Sequence, residues 1–310
     1  MEERPTSLRR NRGPGPGRRV AVLVGVLLGF GLLAAIAFAF AGEDGEPGTP
    51  AEETTTDATT TTTAAERAAG GTLRIVFPEG FTREEMAARI AAVNEIALER
   101  RHVRPRLSPR AYMRITERVR DLPRDFRDAD APNLEGFLFP ATYDFTRRTA
   151  TSELVDLQLQ AFDRAWRQVN LRFARSRELT PYDVLIIASM IEEEVVVPRE
   201  RPIVAAVIYN RLRAGMPLGI DATIRYGLGI PPTEPILESH LQSDTPYNTR
   251  LFTGLPPTPI SNPGLASIQA AARPARVNYL FFVRKADCRS HFFTASQQEF
   301  DEYPRAGLQC

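Results

Sequence analysis

Hydrophobic and polar positions divide the chain into an apolar run, a polar stretch and a long segment of mixed periodicity. The apolar run, from Val20 to Ala41, carries no charge and is long enough to cross the hydrocarbon core of a bilayer. Because arginines precede it and acids follow it, we expect one transmembrane helix with a cytoplasmic N-terminus. A cleaved signal peptide is the alternative, since Ala39, Phe40 and Ala41 fit a cleavage site.

Residues 42–71 are acidic and rich in threonine, alanine, glycine and proline, so they are expected to form a disordered tether rather than a core. Apolar and polar residues then alternate from Thr72 to Phe77, which predicts a short strand. Thr82 with Glu85 forms a capping box at the start of a helix, and Ser108 begins a second helix. The predicted order is therefore strand, helix, helix.

The periodicity beyond Leu134 is mostly helical. The predicted helices cover residues 152–176, 199–213 and 262–272. Trp166, on the first of these helices, is expected to lie in the hydrophobic core. Two alternating segments, 279–283 and 291–294, predict a hairpin around a polar turn. Helices mixed with a few short strands favour the α+β class.

One further apolar helix ends in three consecutive acids. It begins at Thr180, a capping residue followed by a proline, and reaches Glu192, Glu193 and Glu194. A helix C-terminus carries a partial negative charge and apolar surroundings disfavour ions, so both effects favour a protonated carboxyl group there. Such a group can protonate a leaving oxygen, as in glycosidic bond cleavage. Periodicity alone does not choose between Glu192 and Glu194, and a solvated acidic helix end is the alternative.

Composition and motifs exclude several other kinds of protein. The 39 lysines and arginines nearly balance the 38 aspartates and glutamates, which leaves a formal net charge of +1 and no strong field for nucleic acid. The sequence has no glycine-rich phosphate loop and no cluster of His, Cys and acids at metal-ligand spacing. We therefore expect no cofactor, no metal and no nucleic-acid partner.

Four long segments of the sequence stand out together. They are LEGFLFPATYDF from Leu134 to Phe145, ASMIEEEVVVPRERPIVAAVIYNRLRAGMPLGID from Ala188 to Asp221, VIYNRLRAGMPLGIDATIRYGLG from Val207 to Gly229, and PYNTRLFTGLPPTPISNPGLASIQAAARPARVNYLFFV from Pro246 to Val283. In these segments the sequence resembles the YceG-like family of endolytic murein transglycosylases, and the resemblance covers residues from about Gly71 to Phe300. The resemblance implies that Glu192, the first of the three acids, is the catalytic residue. The residues expected around the substrate are Asn210, Asp221, Tyr247, Asn248 and Thr249, with Glu194 as a further candidate.

The resemblance also implies a lytic reaction rather than hydrolysis. Glu192 would protonate the oxygen between N-acetylmuramic acid and N-acetylglucosamine, and would then take the proton of the muramic C6 hydroxyl as that oxygen attacks C1. The product is a 1,6-anhydromuramoyl end formed within the strand. Two alternatives stay open: a two-carboxylate hydrolase with Asp221 or Glu194 as the partner, and a non-catalytic wall-binding or division scaffold.

The patterns and the resemblance together predict five segments. They are a basic cytoplasmic segment at 1–19, a transmembrane helix at 20–41, a disordered linker at 42–71, a LysM-like subdomain at 72–133 and a YceG-like catalytic domain at 134–310. The subdomain is expected either to bind glycan or to pack only. We expect a single-pass protein of the cell membrane with its catalytic domain outside the cytoplasm. Peptidoglycan strands and the membrane are its expected partners, and wall-synthesis or division proteins are further candidates.

Cys288 and Cys310 are the two cysteines of the chain. An extracytoplasmic location would allow them to form a disulfide, which would join the C-terminal tail to the predicted hairpin. Cys288 and His291 could instead be imagined as a nucleophile and its base. A separation of three residues in a hairpin turn rarely aligns a thiol with an imidazole, and no orienting third group is evident.

Overall fold

The computed structural model describes residues 71–304, in which helices predominate over short antiparallel strands. The helices are α1 (Arg83–Arg101), α2 (Pro109–Thr116), α3 (Thr151–Trp166), α4 (Arg172–Arg175), α5 (Pro181–Glu194), α6 (Arg201–Arg213), α7 (Asp221–Leu228), α8 (Glu238–Leu241), α9 (Leu265–Ala272) and α10 (Gln297–Glu302). The strands are β1 (Leu73–Val76), β2 (Thr142–Phe145), β3 (Phe281–Arg284) and β4 (His291–Thr294). The predicted α+β class is confirmed.

The predicted cytoplasmic segment, the transmembrane helix and all but the last residue of the linker lie outside the described residues, and these three stay predictions. Among the helices that the structure describes, none combines the length and the apolar character that a membrane crossing requires.

The strands form two antiparallel pairs. β1 pairs with β2, with Leu73 opposite Phe145, and β3 pairs with β4, with Phe281 opposite Thr294. The second pair confirms the predicted hairpin. Helices α1 and α2 lie between β1 and β2 in the sequence, so the first pair joins the N-terminal strand to a strand beyond residue 134. The predicted boundary between residues 133 and 134 stays a prediction.

The predicted helix starts at α1 and α2 are confirmed by their caps. Thr82 donates its backbone N–H to Glu85 Oε2 at 2.8 Å, and Glu85 N–H donates to Thr82 Oγ1 at 3.2 Å. Ser108 Oγ accepts the N–H of Ala111 at 3.2 Å. Each side chain satisfies a donor that the first turn of a helix leaves without a partner.

The single helix predicted over residues 152–176 is wrong beyond Trp166. There α3 ends and the chain turns before α4 begins, because Asn170 Oδ1 accepts the N–H of Arg172 at 3.0 Å and so starts a new turn. Trp166 itself is buried against Phe126, with ring centroids 4.5 Å apart, and donates its indole N–H to Asp125. Its predicted place in the core is confirmed.

Two other predicted helix starts are displaced by two or three residues. The helix predicted from residue 199 begins at Arg201, because residues Pro198–Glu200 form a 3-10 turn. The helix predicted from Asn262 begins at Leu265. Asn262 does not cap it, since its side chain donates to Phe81 O and Glu135 and accepts from another backbone N–H.

Helix α5 lies at the centre of the fold, packed against α6, α7 and α9. Every residue from Tyr182 to Ile191 is buried. Its predicted start is confirmed by a capping box in which Thr180 Oγ1 accepts the N–H of Asp183 at 3.1 Å. Because the apolar part of the helix fills the core, the acids at its C-terminal end emerge where the core meets a cleft.

Candidate active site

A cleft of about 730 Å³ opens where the C-terminal end of α5 faces the turn before α1 and one side of α7. Its size falls in the range of ligand-binding pockets. Three aromatic rings and five carboxylates contribute to its lining: Phe81, Tyr226, Tyr247, Glu79, Glu84, Glu85, Glu192 and Glu193. The structure thus brings two of the predicted site residues, Glu192 and Tyr247, to one cleft.

Glu192 is held at the cleft floor by two donors. Its Oε2 accepts the backbone N–H of Gly264 at 2.9 Å, and its Oε1 lies 3.4 Å from Nη2 of Arg201. Only 6% of the Glu192 side chain is exposed. Gly264 caps the N-terminus of α9, so Glu192 faces the positive end of that helix as well as the negative end of its own. The carboxyl group of Glu192 thus lies between a backbone N–H and a guanidinium group.

The loop that carries Gly264 is fixed to α5 one turn before Glu192. Ser189 is fully buried, donates its hydroxyl to Ile186 O at 2.8 Å and accepts the N–H of Ile260 at 3.0 Å. This bond joins the middle of α5 to the segment that leads into α9. Ser189 therefore sets where the Gly264 N–H meets the Glu192 carboxylate.

Arg201 connects the site to α6 and α9. It donates from Nε to Ser267 Oγ at 3.0 Å, and its Nη2 reaches Glu192 and, at 4.0 Å, Glu79 Oε2. Its side chain is 13% exposed. Sequence reasoning missed Arg201, Glu79 and Gly264. A partly buried acid requires a nearby cation, and that requirement could have pointed to Arg201, which follows Glu192 by nine residues.

Two tyrosines form one wall of the cleft. The rings of Tyr226 and Tyr247 lie 5.3 Å apart at 59°, and Tyr247 shares a hydrogen bond of 2.8 Å with Thr258. Gly227 permits this packing, because a Cβ there would lie 2.5 Å from Cβ of Tyr247. Tyrosine rings present an apolar face together with a polar hydroxyl, which suits the faces and hydroxyls of a sugar.

A buried carboxyl group supports this wall from behind. Glu135, which is 1% exposed, accepts the N–H of Arg83, the side-chain amide of Asn262 at 2.6 Å and the hydroxyl of Tyr226 at 3.3 Å. Burial raises the pKa of Glu135 to about 8, and the nearby charge of Glu84 adds to the effect. The network ties the start of α1 to α7 and thereby fixes Tyr226 in the cleft.

Three predicted site residues have side chains that form hydrogen bonds with backbone groups and do not line the cleft in the described part of the chain. Asn210 donates to Val277 O at 3.0 Å and to Tyr279 O at 2.9 Å. Asn248, fully buried, donates to two carbonyls, and Thr249 accepts the N–H of Ile220 at 3.0 Å. Within residues 71–304, the lining of the Glu192 cleft includes none of the three. Their substrate contacts stay predictions, while Asn248 and Thr249 hold the segment that presents Tyr247.

Asp221 and Glu194 lie on another side of the α5 terminus. Asp221 forms a two-fold ion pair with Arg250, at 2.6 and 3.0 Å. Burial raises the pKa of Glu194 to about 7, against the opposing charges of Arg284 and Arg250 and with the help of Asp221. In the described part of the chain, neither acid lines the cleft of Glu192. Positions 192 and 194 differ by about 200° around a helix, which accounts for the separation.

The turn between β3 and β4 contains Cys288, which is exposed and has φ 52°. Cys310 lies outside the described residues, so the predicted disulfide stays a prediction. His291 is buried, with Nδ1 2.7 Å from Glu200 Oε2. The ring of His291 packs inside against Phe282 and Phe293, whereas Cys288 lies on the exposed turn, and this separation does not support a nucleophile and base.

The sequence matches the model of the YceG-like family over residues 47–306. An endolytic murein transglycosylase of Bacillus subtilis is 31% identical over 229 residues, which cover 71% of this chain and 61% of that protein. One of Streptococcus pneumoniae is 32% identical over 174 residues, 54% of this chain and 31% of that protein. The chain thus spans less than two thirds of the length of these relatives.

One solved structure extends the comparison to the fold. The crystal structure of a yceG-like protein from Listeria monocytogenes is similar with a TM-score of 0.63 and 28% sequence identity. The match covers 74% of this chain and 76% of that one.

Proposed function

Because this chain belongs to the YceG-like family, we propose that it is a lytic transglycosylase that cleaves peptidoglycan glycan strands internally, between N-acetylmuramic acid and N-acetylglucosamine. Relatives named endolytic murein transglycosylases support this proposal. The observation that carries it is the position of Glu192, a nearly buried carboxylate on the floor of a cleft walled by two tyrosines. The cleft is large enough to enclose sugar rings around that carboxylate.

The proposed reaction uses Glu192 twice. In its protonated form it donates to the glycosidic oxygen, the bond from that oxygen to C1 of the muramic residue breaks, and Glu192 becomes a carboxylate. The carboxylate then removes the proton of the C6 hydroxyl while its oxygen bonds to C1, which gives the 1,6-anhydro end and returns the acid. The proton count balances and no water is consumed.

Arg201 and the Gly264 N–H have a defined part in this cycle. Both donate to the Glu192 carboxylate, at 3.4 and 2.9 Å, so they stabilise the form that follows the first proton transfer. A bound substrate must supply the opposite preference and favour the protonated form before cleavage. Exclusion of water by the sugar rings would do so, since low polarity disfavours a carboxylate.

The alternative of a two-carboxylate hydrolase loses support for the partners first considered. Asp221 is bound by Arg250, and Glu194 faces the Arg250 and Arg284 side of the helix end. A binding scaffold without catalysis is also less well supported, because a scaffold does not need a carboxylate held between two donors in a cleft.

Mass spectrometry of sacculi digested with the full chain tests the proposed chemistry. Lytic cleavage predicts muramic ends that are one water lighter than reducing ends. Reducing ends among the products would show hydrolysis, and intact strands with bound protein would show a scaffold.

The localisation and domain organisation complete the proposal. Residues 20–41 anchor the protein in the cell membrane with residues 1–19 inside, and residues 42–71 tether the folded part outside. The order of β1, α1 and α2, a strand followed by two helices, supports a LysM-like subdomain at residues 72–133. Protease added to intact spheroplasts is expected to digest the folded part and spare the first 19 residues. Protection of the folded part would contradict the topology.

A further inference from the structure

A second carboxylate lies near Glu192 and Arg201, on the turn between β1 and α1. Glu79 Oε2 lies 4.0 Å from Nη2 of Arg201, and the same nitrogen lies 3.4 Å from Glu192 Oε1. Half of the Glu79 side chain is exposed, and it lines the same cleft as Glu192. One guanidinium nitrogen therefore stands between two carboxylates that come from different segments of the chain.

The position of Glu79 is set by a close approach to Gly264. A Cβ at residue 264 would lie 1.8 Å from Glu79 Oε1, so only glycine leaves room for the carboxyl group in this place. Two backbone bonds fix the turn to the same loop: Gly80 N–H donates to Asn262 O at 3.0 Å, and Asn262 N–H donates to Phe81 O at 3.0 Å. Gly264 in turn donates to Glu192. The turn that carries Glu79 is thus held against the loop that carries Gly264.

Arg201 needs a negative partner at every stage of the proposed reaction. Its side chain is only 13% exposed, so an uncompensated guanidinium charge there is costly. Glu192 compensates it when ionised but not when it carries the proton that it donates. Among residues 71–304, Glu79 is the other carboxylate within 4.0 Å of the same nitrogen.

We propose that Glu79 is a positioning residue that pairs with Arg201 while Glu192 carries its proton, an inference that rests on the proposed function. When Glu192 takes up its proton, the charge of the Arg201 guanidinium is still balanced by the carboxylate of Glu79. Because Glu79 also attracts Arg201, the ion pair between Arg201 and Glu192 is not permanent. The two carboxylates act on each other: burial raises the pKa of Glu79, the charge of Glu192 raises it further, and Arg201 lowers it. The other charged groups that line the cleft are Glu193 on α5, Glu84 and Glu85 on α1, and Arg225 on α7.

The first test is the dependence of glycan cleavage on pH in the full chain with Glu79→Gln. Without its alternative partner, Arg201 stays with ionised Glu192, and Glu192 is protonated only at lower pH. The falling alkaline limb of the kcat profile is expected to move down by about one pH unit, so kcat at a pH on that limb falls roughly tenfold. KM is expected to change little, and Glu79→Asp is expected to restore part of the profile.

Two further variants separate the contact from the charge. Gly264→Ala keeps both carboxylates but displaces that of Glu79, so it is expected to move the alkaline limb in the same direction. Glu95→Gln makes the same change in net charge at an exposed position of α1, and its profile is expected to match that of the unchanged protein. Circular dichroism and thermal unfolding identify a variant that fails to fold.

A titration without substrate keeps this inference distinct from the proposed function. The carboxyl carbons of ¹³C-labelled glutamate are followed against pH in the full chain, with Glu192→Gln to assign the signal of Glu192. Loss of the Glu79 charge is expected to move that signal to lower pH even if the protein cleaves no glycan. An unmoved signal and an unchanged kcat profile would overturn the inference. A change confined to KM would also overturn it, because Glu79 would then be a sugar ligand. Reducing ends that are formed by the unchanged protein and vanish in Glu79→Gln would overturn it as well, because Glu79 would then be a hydrolytic partner.

Discussion

Glu135 is a single carboxyl group on which three segments converge. It joins the start of α1, the loop at Asn262 and the cleft tyrosine Tyr226, and it does so from the interior. Burial raises its pKa in the folded protein to about 8, above the ordinary glutamate value of 4.5. Between these values the folded protein binds one proton more than the unfolded chain, so this group makes the free energy of unfolding fall as pH rises.

Replacement of Glu135 by glutamine should remove that contribution. The amide cannot lose a proton, so the stability of Glu135→Gln relative to the unchanged protein is expected to rise from pH 5 to pH 8, by up to about 1.4 kcal/mol per unit of pKa shift. Chemical denaturation at the two pH values measures the difference, with Glu95→Gln as an exposed control. A constant difference across this range would show that Glu135 is ionised throughout.

At the level of single residues, the sequence was informative about Glu192 and much less so about its neighbours. The end of an apolar helix is visible in a sequence, and the family resemblance chose among three acids. Asn210, Asn248 and Thr249 have side chains that suit sugars, yet buried backbone carbonyls and N–H groups use them instead. Hydrogen bonds of this kind arise from tertiary contacts, so the local sequence does not reveal them.

At the level of elements, α5 is anchored at both ends by side chains. Thr180 caps its start, while Ser189 binds the N–H of Ile260 and so joins the helix to the loop that carries Gly264. The first anchor supports the helix, and the second places a donor on Glu192. The two hydroxyl groups should therefore affect stability and activity differently.

Ser189→Ala is expected to lower kcat by roughly tenfold or more, because a small displacement of the Gly264 donor misaligns the catalytic carboxylate. It should also cost about 1–3 kcal/mol, since the buried N–H of Ile260 loses its acceptor. Thr180→Ala is the matched control: it should cost about 1 kcal/mol and leave kcat unchanged. Turnover assays beside denaturation curves compare the two. Equal kcat values would contradict the assigned role of Ser189.

Element boundaries were predictable where a cap lies in the local sequence. Thr82, Ser108 and Thr180 each begin a helix as predicted. The break after Trp166 and the late start of α9 were not predictable in the same way. In the sequence, Asn170 looks like an ordinary polar residue within a helical pattern and Asn262 looks like the start of a helix. Only their hydrogen bonds in the folded chain reveal that Asn170 restarts a helix and that Asn262 braces a loop.

At the level of the whole molecule, a single hydrophobic core runs through the described residues. It includes Ile75 of β1 and Met86 of α1 together with Ile187 of α5. Both sides of the predicted boundary at residue 133 therefore contribute to one core, and Glu79 enters the cleft from the N-terminal side. We expect residues 72–133 to fold together with the catalytic part.

Ile75→Ala tests this expectation. Ile75 is fully buried, so its truncation is expected to destabilise the folded part by about 2–5 kcal/mol. Unfolding of both the unchanged protein and the variant should show a single transition by circular dichroism and by tryptophan fluorescence, because Trp166 lies beyond the boundary. A variant that unfolds in two steps, with the fluorescence change unaffected, would show a separately folding subdomain.

The proposed exchange of a proton between Glu192 and the glycan is tested by the rate at which Glu192→Gln forms anhydromuramoyl ends from purified sacculi. The amide keeps the size of the side chain but has no proton to donate. The rate is expected to fall at least about 10²-fold against the unchanged protein, with binding to sacculi retained. Formation of anhydro ends at the normal rate by Glu192→Gln would contradict it.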